Sequence, residues 1–537
     1  MKNKLYIGLS SVFLVLGACR DREALGPDPY AGGKEALGIR FADALPYPSQ
    51  GREGTAMTFR VSGIKEEYKS KMQFVINGLE ASITSVTDST LTAVLPADVS
   101  TGGTRLVIDG QIYPGPVCRI LGNVDIDPLF NAGIGSNGTI STIKQLGNGQ
   151  VFIGGFFSDY NGAASRASVN GLARITVNGE FVPLSASGKG AEQGSINSIH
   201  QIGNDELLLS GSIKSYNEIK LINNITTVGL DGGLKMKEVE VLNVTSDPEK
   251  SKMKVPVFNG GVGIPAYKTY VYNGAVTALG NFGSYLDYFY QRSTVDQIIQ
   301  GITEVGGLVR MDMTGALDQT FNMDKSVVPN KPNRGVEGII QDGFMQADGK
   351  LIVAGRLSRY NNQSVKGNII RINTDGSQDV TFNAGAAGAN ETVFTIVGTT
   401  SGKLLVLGAF TTFNGVAADG LVLLNNDGTV DPSFKSLGFE GGKPNYAKQL
   451  SNGKILVSGT FTRYGGVIRE GLCILNPDGT LASGYNNTGK LDGYIFDAIE
   501  GTNSKGQKTV TLVGTIKRFN GKSNIGNIMR LAFTEAK

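Results

Sequence analysis

Six tyrosines and two phenylalanines fall within residues 267–290, in the stretch "YKTYVYNGAVTALGNFGSYLDYFY". A tyrosine offers an apolar ring face and a hydroxyl, a combination that suits sugar rings, peptides or a partner protein. Tyr267, Tyr270, Tyr272, Tyr285, Tyr288, Phe289 and Tyr290 are therefore the candidate ligand- or partner-binding residues. Aromatic residues are also good strand formers, so the same residues could serve only to fill space between strands. Three or more of these rings exposed on one rim would speak for contact, and general burial for packing.

Other chemistry is sparse. The chain has one histidine, His200, in the strand-like "INSIHQIG", so a Ser-His-Asp triad or a His-rich metal site would rest on that residue alone. Zinc needs about four N/S ligands gathered closely, and no Cys-x-x-Cys or His-x-His spacing occurs. "DIDP" lacks the regular acidic loop that calcium uses. Glycoside cleavage needs two carboxylates about 5–10 Å apart. Asp205, Glu206, Asp287, Asp296, Glu304 and Glu337 are available, but no spacing marks a pair. No catalytic residue, metal or cofactor is assigned. The 50 basic and 47 acidic residues leave a formal charge of +3, which gives nucleic acid no basic surface to bind.

Glycine is the commonest punctuation, at 75 of 537 residues, about twice ordinary usage of roughly 7%. With 17 prolines and 40% hydrophobic residues, the chain reads as short strands joined by tight turns, an all-β protein. Residues 1–18, "MKNKLYIGLSSVFLVLGA", have two lysines, a short apolar run and small residues before Cys19. The run is too short for a spanning helix of about 20 residues and has the form of a secretory signal. "LGAC" at 16–19 resembles the lipobox of bacterial lipoproteins, which implies cleavage before Cys19 and its acylation. Residues 19–37 then form a polar tether to the outer membrane. Asp21 and Glu23 resemble the acidic export signal of Bacteroidota surface lipoproteins, interrupted by Arg20 and Arg22. That resemblance implies a lipid-anchored protein facing the cell exterior.

Residues 38–120 alternate short β-type runs with turns, as in "AMTFRVSG", "MQFVING" and "TRLVIDG", and fit a small β-sandwich. The order of "VING", "TLTAVLP" and "GGTRLVIDG" resembles immunoglobulin-like IPT/TIG domains, which implies a spacer between anchor and working end. From 121 to 537 the chain repeats. "QVFIGGFFSDYNG", "KLIVAGRLSRYNN", "KLLVLGAFTTFNG" and "KILVSGTFTRYGG" are versions of one phrase. Its glycine recurs as Gly155, Gly211, Gly280, Gly355, Gly408, Gly459 and Gly514, at intervals of 56, 69, 75, 53, 51 and 55. Each unit predicts four strands, the last in segments such as "TVDPSF", which is the pattern of a propeller blade. The seventh unit stops after its third strand, and "NVDIDPLFNAG" at 123–133 supplies the missing fourth. The expected fold is an N-terminal Ig-like sandwich and a seven-bladed β-propeller closed by pairing of the two chain ends. The recurring glycine is expected to let neighbouring blades approach near the axis. Cys118 and Cys473 fall in different domains, so no bridge between them is expected.

The repeats resemble delta-60-type repeats of bacterial secreted proteins. Together with the lipobox and the IPT/TIG-like domain, they resemble Bacteroidota lipoproteins associated with starch-utilisation-type nutrient uptake. This implies a non-enzymatic accessory protein that binds a glycan or peptide, or docks on an outer-membrane transporter and its lipoprotein partners. The absence of tryptophan weakens the glycan version. The alternatives are a propeller glycoside hydrolase or lyase using an Asp/Glu pair, and a structural or adhesion platform. Repeated motifs such as Tyr160-Asn161-Gly162 and Phe413-Asn414-Gly415 build the scaffold, and function is expected where units differ. The differences are the insertion 236–268, the Tyr-rich third unit and the excursion 323–335.

Overall fold

The computed structural model describes residues 34–165 and 169–534. Cys19 and the signal lie outside the described residues. Strands take 48% of the protein and helical turns 3%, so the fold is all-β.

Residues from Arg40 to Ile120 form an eight-stranded sheet in the order Arg40–Phe41, Ala56–Ser62, Thr90–Val94, Leu79–Val86, Met72–Ile76, Gly102–Ile108, Gln111–Ile120, Gln50–Gly51. Period-two alternation turns Met57, Phe59 and Val61 to one side of their strand. These residues share one core with Phe74, Ile76, Leu106 and Ile108 from farther along the strand order. The Phe59 and Phe74 rings lie 4.8 Å apart, so the sheet folds over upon itself.

From Thr139 onward, sheets of one plan follow one another. Their first strands are Thr139–Gln145, Ser195–Ile202, Lys268–Tyr272, Val336–Met345, Val393–Gly398, Pro444–Gln449 and Leu491–Thr502. Each pairs antiparallel with a second strand. Each first strand also lies beside that of the next sheet, and the last lies beside the first. The middles of the second strands are largely apolar because they are covered on both faces. In Leu404–Gly408, Leu404 and Val406 enter one core while Leu405 and Leu407 enter the next. Burying each such side chain contributes about 1.5–3 kcal/mol.

The recurring glycine has a different cause from the one expected. A Cβ on Gly155, Gly408 or Gly514 would overlap the carbonyl oxygen of Thr139, Thr392 or Tyr494, which belongs to the same sheet, not a neighbouring one. The first strand carries a bulge at this height, between Ile140 and Thr142, Val393 and Thr395, or Ile495 and Asp497. The overlapping carbonyl lies two residues before the unpaired bulge residue, where the bulge bends the first strand and disrupts its regular pairing. The third sheet has no such bulge, and there a Cβ on Gly280 would come no closer than 3.2 Å to Tyr267 N.

The fourth strand is also shorter than the sequence predicts. In the fifth sheet it shrinks to one bridge, Leu424 to Val430. Asp431 then turns the chain by accepting the Ser433 amide at 2.8 Å. The last sheet is completed from the front of the chain, where Val124–Ile126 pairs antiparallel with Ile528–Phe533. Arg530 Nε stands 2.7 Å from Asp127 Oδ2 in this pairing, both side chains being buried. Cys118 and Cys473 are free and buried in separate cores.

Candidate functional site

The seven aromatic candidates fall into several surroundings. Tyr285 is part of the scaffold: its hydroxyl donates to Gly315 O at 2.8 Å, as Tyr160 does to Gly179 O and Tyr464 to Gly479 O. Tyr288 and Tyr290 stack with centroids 6.0 Å apart. Tyr290 lies in a small core with Val241 and Val255, so it anchors the inserted hairpin Met236–Glu240 and Lys252–Pro256. Phe289 is 37% exposed beneath the Arg292 guanidinium. Tyr272 covers the turn at Gly349 in the next sheet. Tyr267 is 42% exposed, and its hydroxyl accepts from Asn281 Nδ2 at 2.7 Å. Tyr270 alone of the seven enters the central cavity. The two well-exposed rings, Tyr267 and Phe289, stand on separate segments of the third unit.

The cavity measures about 760 Å³ and is lined by residues from all seven first strands. It holds three lysines, Lys144, Lys268 and Lys448, against three carboxylates, Asp342, Asp497 and Glu500. Asp342 and Asp497 take the same register position, each opposite the residue before the recurring glycine. Each fastens the next sheet. Asp342 Oδ2 accepts the Ile396 amide at 2.9 Å, and Asp497 Oδ2 accepts the Ile143 amide at 3.0 Å. Asp342 also pairs with Lys268 Nζ at 2.5 Å, and Asp497 accepts the Thr142 hydroxyl at 3.1 Å. Burial raises the Asp497 carboxyl above its ordinary value, against the pull of its amide bonds and of Lys448. A tyrosine of the preceding sheet stands by each carboxylate: burial first, and then the nearby Asp342 or Asp497, raises the hydroxyls of Tyr270 and Tyr446.

Three buried polar atoms in the cavity lining have no hydrogen-bond partner: His200 Nε2, Tyr270 Oη and Asn445 Oδ1. Burial, and secondarily Lys144, lowers His200 to about 4, so its imidazole is neutral at physiological pH. None of the six carboxylates considered from sequence lines this cavity. Asp205 and Asp296 instead make surface pairs with Lys235 and Lys250. Sequence reasoning missed Asp342, Asn445 and Asp497 and read His200 as an ordinary strand residue. Asp342 lies 13 residues before its glycine and Asp497 17, so turns of unequal length hide their equivalence. Among the described residues, no group of three or more His, Cys, Asp or Glu could hold a metal ion.

Two families match parts of the chain. One is described as a domain of unknown function (DUF5122) beta-propeller and matches residues 346–382, 400–434 and 450–481. The other, a domain of unknown function (DUF5008), matches residues 17–116. No curated protein matches the chain. Among solved structures, an auxiliary nutrient binding protein from Bacteroides thetaiotaomicron aligns over 94% of this chain and 100% of its own, at 10% identity and a TM-score of 0.33. A putative phosphatase from the same organism covers 94% and 99%, at 9% identity and 0.30. The computationally designed Ika8 protein covers 86% and 98%, at 9% identity and 0.37. At these scores the three likenesses carry no argument about fold or role. Among the described residues, no helix is long and apolar enough to cross a membrane.

Proposed function

We propose that the chain is a non-enzymatic, lipid-anchored surface protein that captures a glycan or peptide for an outer-membrane nutrient uptake system. Residues 1–18 are its signal, Cys19 its acylated anchor and 19–37 its tether. Residues 38–120 are an Ig-like domain of the IPT/TIG kind, supported by the folded-over sheet with one core. Residues 121–537 are a seven-bladed propeller, supported by the cycle of first strands and by the front segment that completes the last sheet.

One observation carries the non-enzymatic reading. The cavity carboxylates Asp342, Asp497 and Glu500 are all spent on the backbone amides of neighbouring sheets. They act as fasteners, and what the cavity offers a visitor is surface and hydrogen bonds. Capture is thus the chemistry available, and delivery to a transporter is the use of it.

The test is purification of a tagged chain from its native outer membrane, with identification of partners and bound small molecules. The proposal expects outer-membrane fractionation that depends on Cys19, and a transporter among the partners. A Cys19→Ala chain that still fractionates with the membrane would overturn the anchor. Turnover of a bound glycan would overturn the non-enzymatic reading.

A further inference from the structure

Buried polar groups in folded proteins almost always have hydrogen-bond partners, and the exceptions ask for an explanation. Three exceptions gather in the lining of one cavity: His200 Nε2 from the second sheet, Tyr270 Oη from the third and Asn445 Oδ1 from the sixth. His200 and Tyr270 sit on first-strand rungs paired to Leu208 and Thr277 of their second strands, and Asn445 is the bulge residue held between the paired Pro444 and Tyr446. The unmet valences are therefore held in place, as a preformed site requires.

Their chemistry is mixed. Tyr270 can donate, Asn445 Oδ1 can only accept, and a neutral imidazole nitrogen does one or the other by tautomer. A ligand that satisfies all three must offer both donors and acceptors on several sides, as hydroxyl groups do. Charge points the same way. The three lysines and three carboxylates of the lining cancel, and Lys268 is already bound to Asp342. Net charge thus favours neither an anion nor a cation. Aromatic rings supply the apolar part of the wall: Phe344, Phe394, Tyr446 and Phe496 come from four successive sheets. The volume of about 760 Å³ lies in the range of about 300–1,000 Å³ that accommodates small-molecule ligands.

We infer that the central cavity is the ligand site and that its ligand is an uncharged, many-hydroxyl molecule of the saccharide class, recognised through His200, Tyr270 and Asn445. This rests on the capture reading above and names the site and ligand class within it. It moves recognition from the third-unit insertions to the axis, with Tyr270 the one sequence candidate that takes part.

The test uses the whole mature chain, with maltose, cellobiose, xylobiose and mannobiose as neutral probes and trialanine as a peptide probe. Binding is followed by native mass spectrometry and calorimetry. At least one sugar is expected to bind, and Tyr270→Phe and Asn445→Leu are each expected to weaken it about tenfold. Tyr270→Phe removes only a hydroxyl that has no protein partner, so its melting temperature is expected to hold, which separates lost recognition from lost folding. Sugar binding unchanged in both variants would overturn the site. Trialanine binding in place of every sugar would overturn the ligand class and leave the capture reading standing. No binding of any probe would overturn the inference, and capture itself would then stand or fall on the native-membrane purification.

Discussion

Gly514, within its second strand, and Gly280, just past the end of its own, hold matching places in the repeat but face different neighbours. A Cβ at Gly514 would overlap the Tyr494 carbonyl beside the bulge, whereas at Gly280 the nearest atom stands at 3.2 Å. Gly514→Ala is expected to cost about 1–3 kcal/mol of stability, the usual range for overpacking. Gly280→Ala should cost clearly less. Equal losses in denaturant midpoint would mean that the bulge does not set the glycine requirement. Asp431 gives a residue-scale dependence on pH. Lys403, hydrogen-bonded to it, then Ser433, lower its carboxyl from 3.8 to about 2. A carboxyl lowered on folding stabilises the protein above its unfolded pKa, and this is lost as pH falls through the folded value. Lys403→Met should therefore be less stable than wild type at neutral pH, by about 1 kcal/mol or less because the lysine is partly exposed. The gap should close between about pH 4 and pH 2, and a gap that widens on acidification would contradict the pairing. The segment "DPSF" at 431–434 was legible as one copy of a repeat, alongside "DPLF" at 127–130. Its role as a turn with a paired carboxylate was not, because the lysine it needs lies 28 residues away in the chain.

At the scale of elements, the closure of the last sheet depends on two segments about 400 residues apart. Asp127 arrives with Val124–Ile126, and Arg530 with Ile528–Phe533. Arg530 Nη1 also donates to Val177 O at 2.8 Å in the first sheet, and its guanidinium covers the Phe130 ring. One side chain thus joins the front segment, the last sheet and the first. Removing one partner of a buried pair leaves an uncompensated charge, which costs about 3–5 kcal/mol. Arg530→Met is expected to lose that much, and adding Asp127→Asn should restore part of it by removing the stranded charge. A double variant less stable than the single one would refute this account of the latch. The same geometry repeats where Arg371 bonds Asp379 at 2.9 Å and reaches Asn426 O in the next sheet. The repeat of "R-I-N" and "D-V-T-F" in one unit is therefore a fastener between sheets and not a site.

At the scale of the whole molecule, the N-terminal sheet is docked on the last sheets and does not hang from a loose linker. Arg469 is buried and donates to Asp98 O at 2.7 Å and to Ser100 Oγ at 3.4 Å. Thr101 N donates to Asn487 O at 2.9 Å, and Asn487 Nδ2 reaches back to Val124 O. These contacts hold the two parts in one orientation. Arg469→Ala is expected to free the N-terminal sheet and raise the radius of gyration in small-angle scattering, with both cores intact. An unchanged radius would show that the backbone contacts hold the two parts without it.

Period, punctuation and repeat length by themselves determined that the protein is all-β, built of repeated sheets, and completed at its last sheet by the front of the chain. These features are local or recur at fixed spacing, so a single sequence displays them. Tertiary structure alone decided which polar residues share a cavity. His200, Tyr270, Asp342, Asn445 and Asp497 come from five sheets, and turns of unequal length separate each from its repeated glycine. Ring closure brings them together, and closure leaves no mark in the spacing of any one segment. The aromatic cluster at 267–290 is the reverse case: adjacent in sequence, its rings are sent by strand alternation and turns to scaffold, insertion, surface and cavity, and only Tyr270 arrives where the other sheets' polar groups converge.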